Sequence, residues 1–140
     1  MKMRLTLYVS IIIISTVILS LSSCGSNEKN IGEEFALHVG ETADIRGESL
    51  QIRFIEISED SRCPRNVTCV WEGRAIANIE VVKGNISQKE DLVEQGLSDG
   101  SAKVKFEGYE FLFRILPYPQ EAEVQIESGE YRLMLTVNRD

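Results

Sequence analysis

Three cysteines and one histidine are the side chains best suited to covalent or metal chemistry in this chain of 140 residues. Cys63 and Cys69 enclose five residues, Pro64-Arg65-Asn66-Val67-Thr68. Three chemistries compete for such a pair. A thioredoxin-like centre needs Cys-x-x-Cys at a helix start, where the helix N-terminus lowers the thiol pKa; here the spacing is longer and the flanks read as strand. Structural zinc needs four Cys or His ligands in closely spaced pairs, and His38 is the single histidine. A disulfide is the remaining and favoured reading. By loop-closure entropy, a bridge over so short a loop contributes about 2–2.5 kcal/mol, so it would staple a turn rather than cross-link the domain.

Cys24 has a different setting. Lys2 and Arg4 precede an uncharged run of 17 residues, Leu5 to Leu21, interrupted by Thr6, Ser10, Ser15, Thr16 and Ser20. A membrane-spanning helix needs roughly 20 apolar residues. A basic start, an apolar middle and small residues at a break instead form a secretory signal. Leu21-Ser22-Ser23-Cys24 resembles the bacterial lipobox. The resemblance implies cleavage after Ser23, a diacylglyceryl group on the Cys24 sulfur and acylation of the new amino group. At about 0.8 kcal/mol per buried CH₂, two or three acyl chains anchor a protein lastingly to a bilayer. Gly25 and Ser26 carry no aspartate-type retention signal, and the choice of inner or outer membrane stays open.

This partition sets the domain organisation: a signal peptide over 1–23, a flexible tether over 24–33 and a β domain over 34–140. Gly25 to Gly32 is polar, Gly/Asn-rich and without periodicity, as a tether should be. The remaining 117 residues are acidic, because losing Lys2 and Arg4 takes the net charge from -7 to -9. Such a charge disfavours nucleic acid, which selects basic surfaces. An exported, oxidising compartment favours the disulfide.

The densest group of unusual residues is Asp60-Ser61-Arg62-Cys63-Pro64 followed by Cys69-Val70-Trp71-Glu72-Gly73-Arg74, which holds the only tryptophan. Together with Leu116-Pro117-Tyr118-Pro119 and the closing run Tyr131 to Val137, this pattern resembles a group of small secreted bacterial proteins and lipoproteins of unassigned function. The resemblance covers most of 35–138 and implies one compact domain without assigning an activity. Two readings of the cluster stand side by side. In one, Trp71 lies two residues after Cys69 at strand parity and covers the disulfide side of the core, while Asp60, paired with an arginine or accepting turn N–H groups, fixes the loop. In the other, Arg62, Arg65, Trp71 and Arg74 form a recognition surface, since Trp and Arg are enriched at binding hot spots.

Elsewhere the chemistry is sparse. No Ser-His-Asp order, Gly-rich phosphate loop or HExxH is found, and no cofactor or metal is implied. His38 alternates with Leu37 and Val39 as an exposed strand residue. Asn66-Val67-Thr68 and Asn85-Ile86-Ser87 match the glycosylation sequon but are expected to be unmodified behind a bacterial lipobox. A carboxylate pair could serve glycoside hydrolysis, although a solvated acidic face explains the acidic residues more simply.

The elements that must position these groups read as strands. Period-two alternation recurs: Phe35 to Val39, Thr42 to Arg46, Leu50 to Ile57, Ala75 to Val82, Lys103 to Phe106, Tyr109 to Ile115 and Tyr131 to Val137. Parity changes between Phe54 and Ile55, which predicts a bulge. Glu107-Gly108 between two alternating runs is a hairpin signal. Residues 86–100 admit a strand, favoured through Asp91 to Leu97, or a short helix opened by a Ser87/Glu90 capping box. The fold class expected is all-β, a small antiparallel β-sandwich or barrel with one short-loop disulfide. Function is expected to be that of a membrane-anchored cell-envelope lipoprotein. Its β domain would bind an envelope protein, a glycan or a small ligand. An envelope hydrolase or a purely structural component are the alternatives.

Overall fold

The computed structural model describes residues 27–96 and 102–140. The stretch read as a signal peptide, 1–23, and Cys24 lie outside these residues. Among the described residues nine strands form two sheets: β1 (Glu28–Lys29), β2 (Glu34–His38), β3 (Thr42–Ile45), β4 (Leu50–Asp60), β5 (Arg74–Lys83), β6 (Ile86–Gln95), β7 (Ala102–Phe106), β8 (Tyr109–Leu116) and β9 (Arg132–Arg139). One sheet has the order β1-β3-β4-β5-β6 and the other β2-β9-β8-β7. All pairings are antiparallel except that of β1 with β3. The fold is therefore a β-sandwich.

The alternating residues deliver the core. Leu50, Ile52 and Phe54 of β4 and Ala75, Ala77, Ile79 and Val81 of β5 are buried, facing Phe111, Phe113 and Ile115 of β8 and Leu133, Leu135 and Val137 of β9. The expected bulge is present, as the β4–β5 register shifts between Phe54 and Glu56. A second shift lies between Ile57 and Glu59; together they turn Ile57 partly onto the core. Glu107 and Gly108 close the β7–β8 hairpin, with φ of 47° and 84°, the positive pair that a type I′ turn requires. Residues 86–95 are strand, starting earlier than the run from Asp91 and stopping at Gln95.

The residues read as tether are partly ordered into the sheet. The Asn27 and Lys29 carbonyls accept from the Asp44 and Arg46 N–H groups, and the Asn27 side-chain amide donates to the Thr42 carbonyl. Short, polar β1 can join because the outer edge of β3 is otherwise unpaired.

The sandwich is polar along its strand axis. At the end where β4 begins, two-residue turns at Gly84-Asn85 and Glu107-Gly108 close the hairpins. At the end where β4 finishes, three connections are long, 61–73 between β4 and β5, 96–101 between β6 and β7, and 117–131 between β8 and β9, beside the short β2–β3 turn 39–41. The cysteine cluster belongs to this long-loop end.

Candidate functional site

The long-loop end is organised around Arg62. Asp60 is opposite Ala75 in the β4–β5 register, and Ala75 is opposite Glu94 in the β5–β6 register. The three residues thus form a row across the sheet, and the small Ala75 side chain leaves room for a guanidinium between two carboxylates. Arg62 occupies that position with only 3% of its surface exposed. Its Nε donates to Asp60 Oδ1 (2.8 Å) and Nη2 to Asp60 Oδ2 (2.6 Å). Nη1 donates to Glu94 Oε2 (2.9 Å) and to the Ile115 carbonyl (2.7 Å), and Nη2 also reaches the Pro117 carbonyl (3.0 Å). All five guanidinium N–H groups are satisfied. The bonds join β4, β6 and the end of β8, so one side chain ties the two sheets together.

Electrostatics follow the burial. Burial alone would lower the Arg62 pKa, but the hydrogen bonds and charge of Asp60, then Glu94, raise it above its ordinary value. Burial pushes the Glu94 carboxyl above the usual range against the pull of Arg62 and the Ile115 N–H. The Tyr131 hydroxyl donates to Asp60 Oδ2 (3.0 Å), and burial together with the Asp60 charge raises its pKa to about 12.

Over this network lies the disulfide loop. Cys63 and Cys69 are bonded, with their Cα atoms 5.9 Å apart. The loop is fastened on both sides. Tyr118 Oη donates to the Cys63 carbonyl (2.8 Å), while the Arg65 and Asn66 N–H groups donate to the Pro119 and Gln120 carbonyls. On the β5 side the Ser61 and Cys63 N–H groups donate to the Arg74 and Glu72 carbonyls. Gly73 makes this closure possible, since a Cβ there would come 1.9 Å from the Ser61 carbonyl oxygen.

The four residues read as a recognition surface are therefore divided. Arg62 does not belong to a surface at all, because its burial and saturated donors make it a structural tie. Trp71 does not cover the disulfide side of the core; its side chain is exposed, with 78% of the residue's surface accessible. Strand parity misplaces it because no residue between 61 and 73 belongs to a strand. Trp71 and Arg74 line one shallow depression of about 410 Å³ with Glu59, Ser61, Glu72 and Gln95. Arg74 is already bound there, its Nε and Nη2 donating to the Glu59 carboxylate. Arg65 is exposed on the opposite flank, its guanidinium 5.1 Å from the centre of the Tyr118 ring. Next to Trp71, Val70 is 92% exposed, and Val67 is 42% exposed. Glu94 went unread as a site residue; its sequence signal is a carboxylate at the inward parity of Leu92.

A second hollow of about 480 Å³ lies between the end of β4 and the 119–128 segment, floored by Asp60, Arg62 and Tyr131. Among the described residues no group of three or more His, Cys, Asp or Glu side chains is arranged to hold a metal ion. No family model matches the sequence, and neither a curated protein nor a solved structure matches it.

Proposed function

We propose that this chain is a membrane-anchored cell-envelope lipoprotein, lipidated at Cys24, whose exported β domain is a binding module presenting the stapled loop. The observation that carries the reading is the exposed Trp71 on a loop immobilised by a disulfide, by backbone bonds and by the Arg62 network beneath it. A large aromatic held rigidly in water contributes nothing to the core, yet loses little conformational entropy when a partner covers it. Arg65 and the Glu59–Arg74 pair supply polar contacts on either flank. The disulfide agrees with an oxidising compartment outside the cytoplasm. The hydrolase alternative gains no support from Asp60 and Glu94, whose carboxylates are both bonded to Arg62.

Two measurements test the reading. Cys24→Ala should leave the membrane fraction and lack the lipid mass; a variant that still partitions at normal mass defeats the anchor. A photocrosslinker at Glu72 in native membranes should capture a discrete partner molecule, whether protein, glycan or lipid. Trp71→Ala and the charge reversals Arg65→Glu and Arg74→Glu should weaken that capture. Capture unchanged by all three removes the stapled loop from the function.

A further inference from the structure

The direction in which the chain leaves the domain bears on what the stapled loop meets. β1 runs parallel to β3, with Glu28 opposite Asp44 and Lys29 opposite Ile45, while Thr42 of β3 is opposite Arg53 and Ile45 opposite Leu50 of β4. Followed back toward its N-terminus, β1 therefore heads for the end of the sheet at which β4 finishes. That is the end carrying the 61–73 loop. From Asn27 to Cys24 there are three residue steps, a reach of at most about 11 Å. Asn27 sits level with Ile52, eight strand residues and about 26 Å short of Asp60, so a lipid on Cys24 and the stapled loop meet the same bilayer when the domain lies obliquely across it, its β1 edge and long-loop end toward the lipid and its tight turns away.

The apex of that loop has the chemistry of a membrane interface. Val67, Val70 and Trp71 are its exposed apolar side chains. Between Cys63 and Trp71 there is no acidic residue, although the chain has 22, and Arg65 is the single charge. An indole places an apolar body and an N–H donor at the depth where headgroups give way to acyl chains. Glu121, Glu123 and Glu127 sit on the neighbouring 117–131 connection, so attraction to anionic lipid does not drive the contact; burial of the apolar apex does.

We infer that the Val67, Val70 and Trp71 apex beds into the headgroup region of the bilayer that holds Cys24, giving the domain a second, non-covalent membrane contact. The inference rests on the lipid-anchor reading. It names the bilayer as the partner of the stapled loop.

Trp71 is the only tryptophan, so its fluorescence reports on the loop alone. The mature protein is purified from its native membrane, its lipid mass is measured, and it is reconstituted into phosphatidylethanolamine/phosphatidylglycerol vesicles. Emission is expected to be blue-shifted, quenched by brominated acyl chains and several-fold less quenched by iodide than in an equally lipidated Val70→Asp variant. Raising the phosphatidylglycerol fraction should weaken the protection. Val70 projects into solvent, so its replacement leaves folding intact, as an unchanged melting temperature would verify. A lipidated wild type as open to iodide as Val70→Asp overturns the inference alone. Protection in native membranes but not in protein-free vesicles assigns the loop to a protein and also overturns it. Absence of the lipid mass overturns the anchor reading and, with it, this inference.

Discussion

Arg62 shows how much a single buried cation can organise. Replacing it with Met would leave Asp60 and Glu94 facing each other without a counter-charge and two carbonyls without their donor. The expected loss is about 3–5 kcal/mol, as for other broken buried pairs, and chemical denaturation would measure it. Arg62→Lys should recover only part of the loss, because an ammonium has three donors for a site with five bonds. The deficit of Arg62→Met should shrink on acidification. Without the guanidinium, the burial that already raises the Glu94 carboxyl pKa is no longer opposed by Arg62, so the folded state takes up a proton there more readily than the unfolded chain. Tyr131 acts at the other limit. Its phenol is held at about 12 against an ordinary 10.0, so its bond to Asp60 contributes fully below pH 10 and is lost as the pH rises toward 12. Thermal melting between those values should fall less steeply for Tyr131→Phe than for the parent.

At the scale of the element, the strands and the stapled loop obey different rules. Inward residues of β8 and β9 were legible because alternation is enforced wherever a sheet has one buried face. The bulge in β4 was legible for the same reason, as a change of parity between Phe54 and Ile55. Trp71 was not, since parity has no meaning in a segment whose backbone bonds go to loops on either side. Arg62 was half legible: Asp60 two residues away suggested a pairing, but Glu94 is 32 positions on and its approach depends on the register of β6. The loop itself can be tested as a unit. Cys63→Ser with Cys69→Ser should cost about 2 kcal/mol by loop-closure entropy. Gly73→Ala should cost more than the roughly 0.4–1 kcal/mol that the same change gains at an unstrained glycine, because Gly73 has φ of 69° and its Cβ would strike the Ser61 backbone. Hydrogen exchange at the Ser61 and Cys63 amides would show whether that damage is confined to the loop.

For the whole molecule, the decisive property is the contrast between its two ends. Short turns such as Gly84-Asn85 mainly reverse the chain: the Gly84 N–H donates to the Ser49 carbonyl, and nothing lies within 4 Å of a Cβ built at Gly84. A flexible Gly/Ser insertion between Gly84 and Asn85 should cost only about 1 kcal/mol, since lengthening a flexible loop costs about 0.6 kcal/mol per doubling. The same insertion between Asn66 and Val67 should loosen the loop and abolish partner capture at Glu72. Thermal melts and the crosslinking yield separate the two outcomes. Composition could not reveal this polarity, since it depends on which strand ends the topology gathers at one end.

β1 also has a mechanical consequence. Tension from an anchored tether would pull Asn27 along the strand axis, toward the long-loop end. The Asp44–Asn27 and Arg46–Lys29 backbone bonds and the Arg46–Glu28 ion pair would then be loaded together in shear. They would not be peeled apart one after another. Two residues of strand would thus give a lipid-anchored chain a grip that resists a steady pull along the strand while yielding readily to a sideways one.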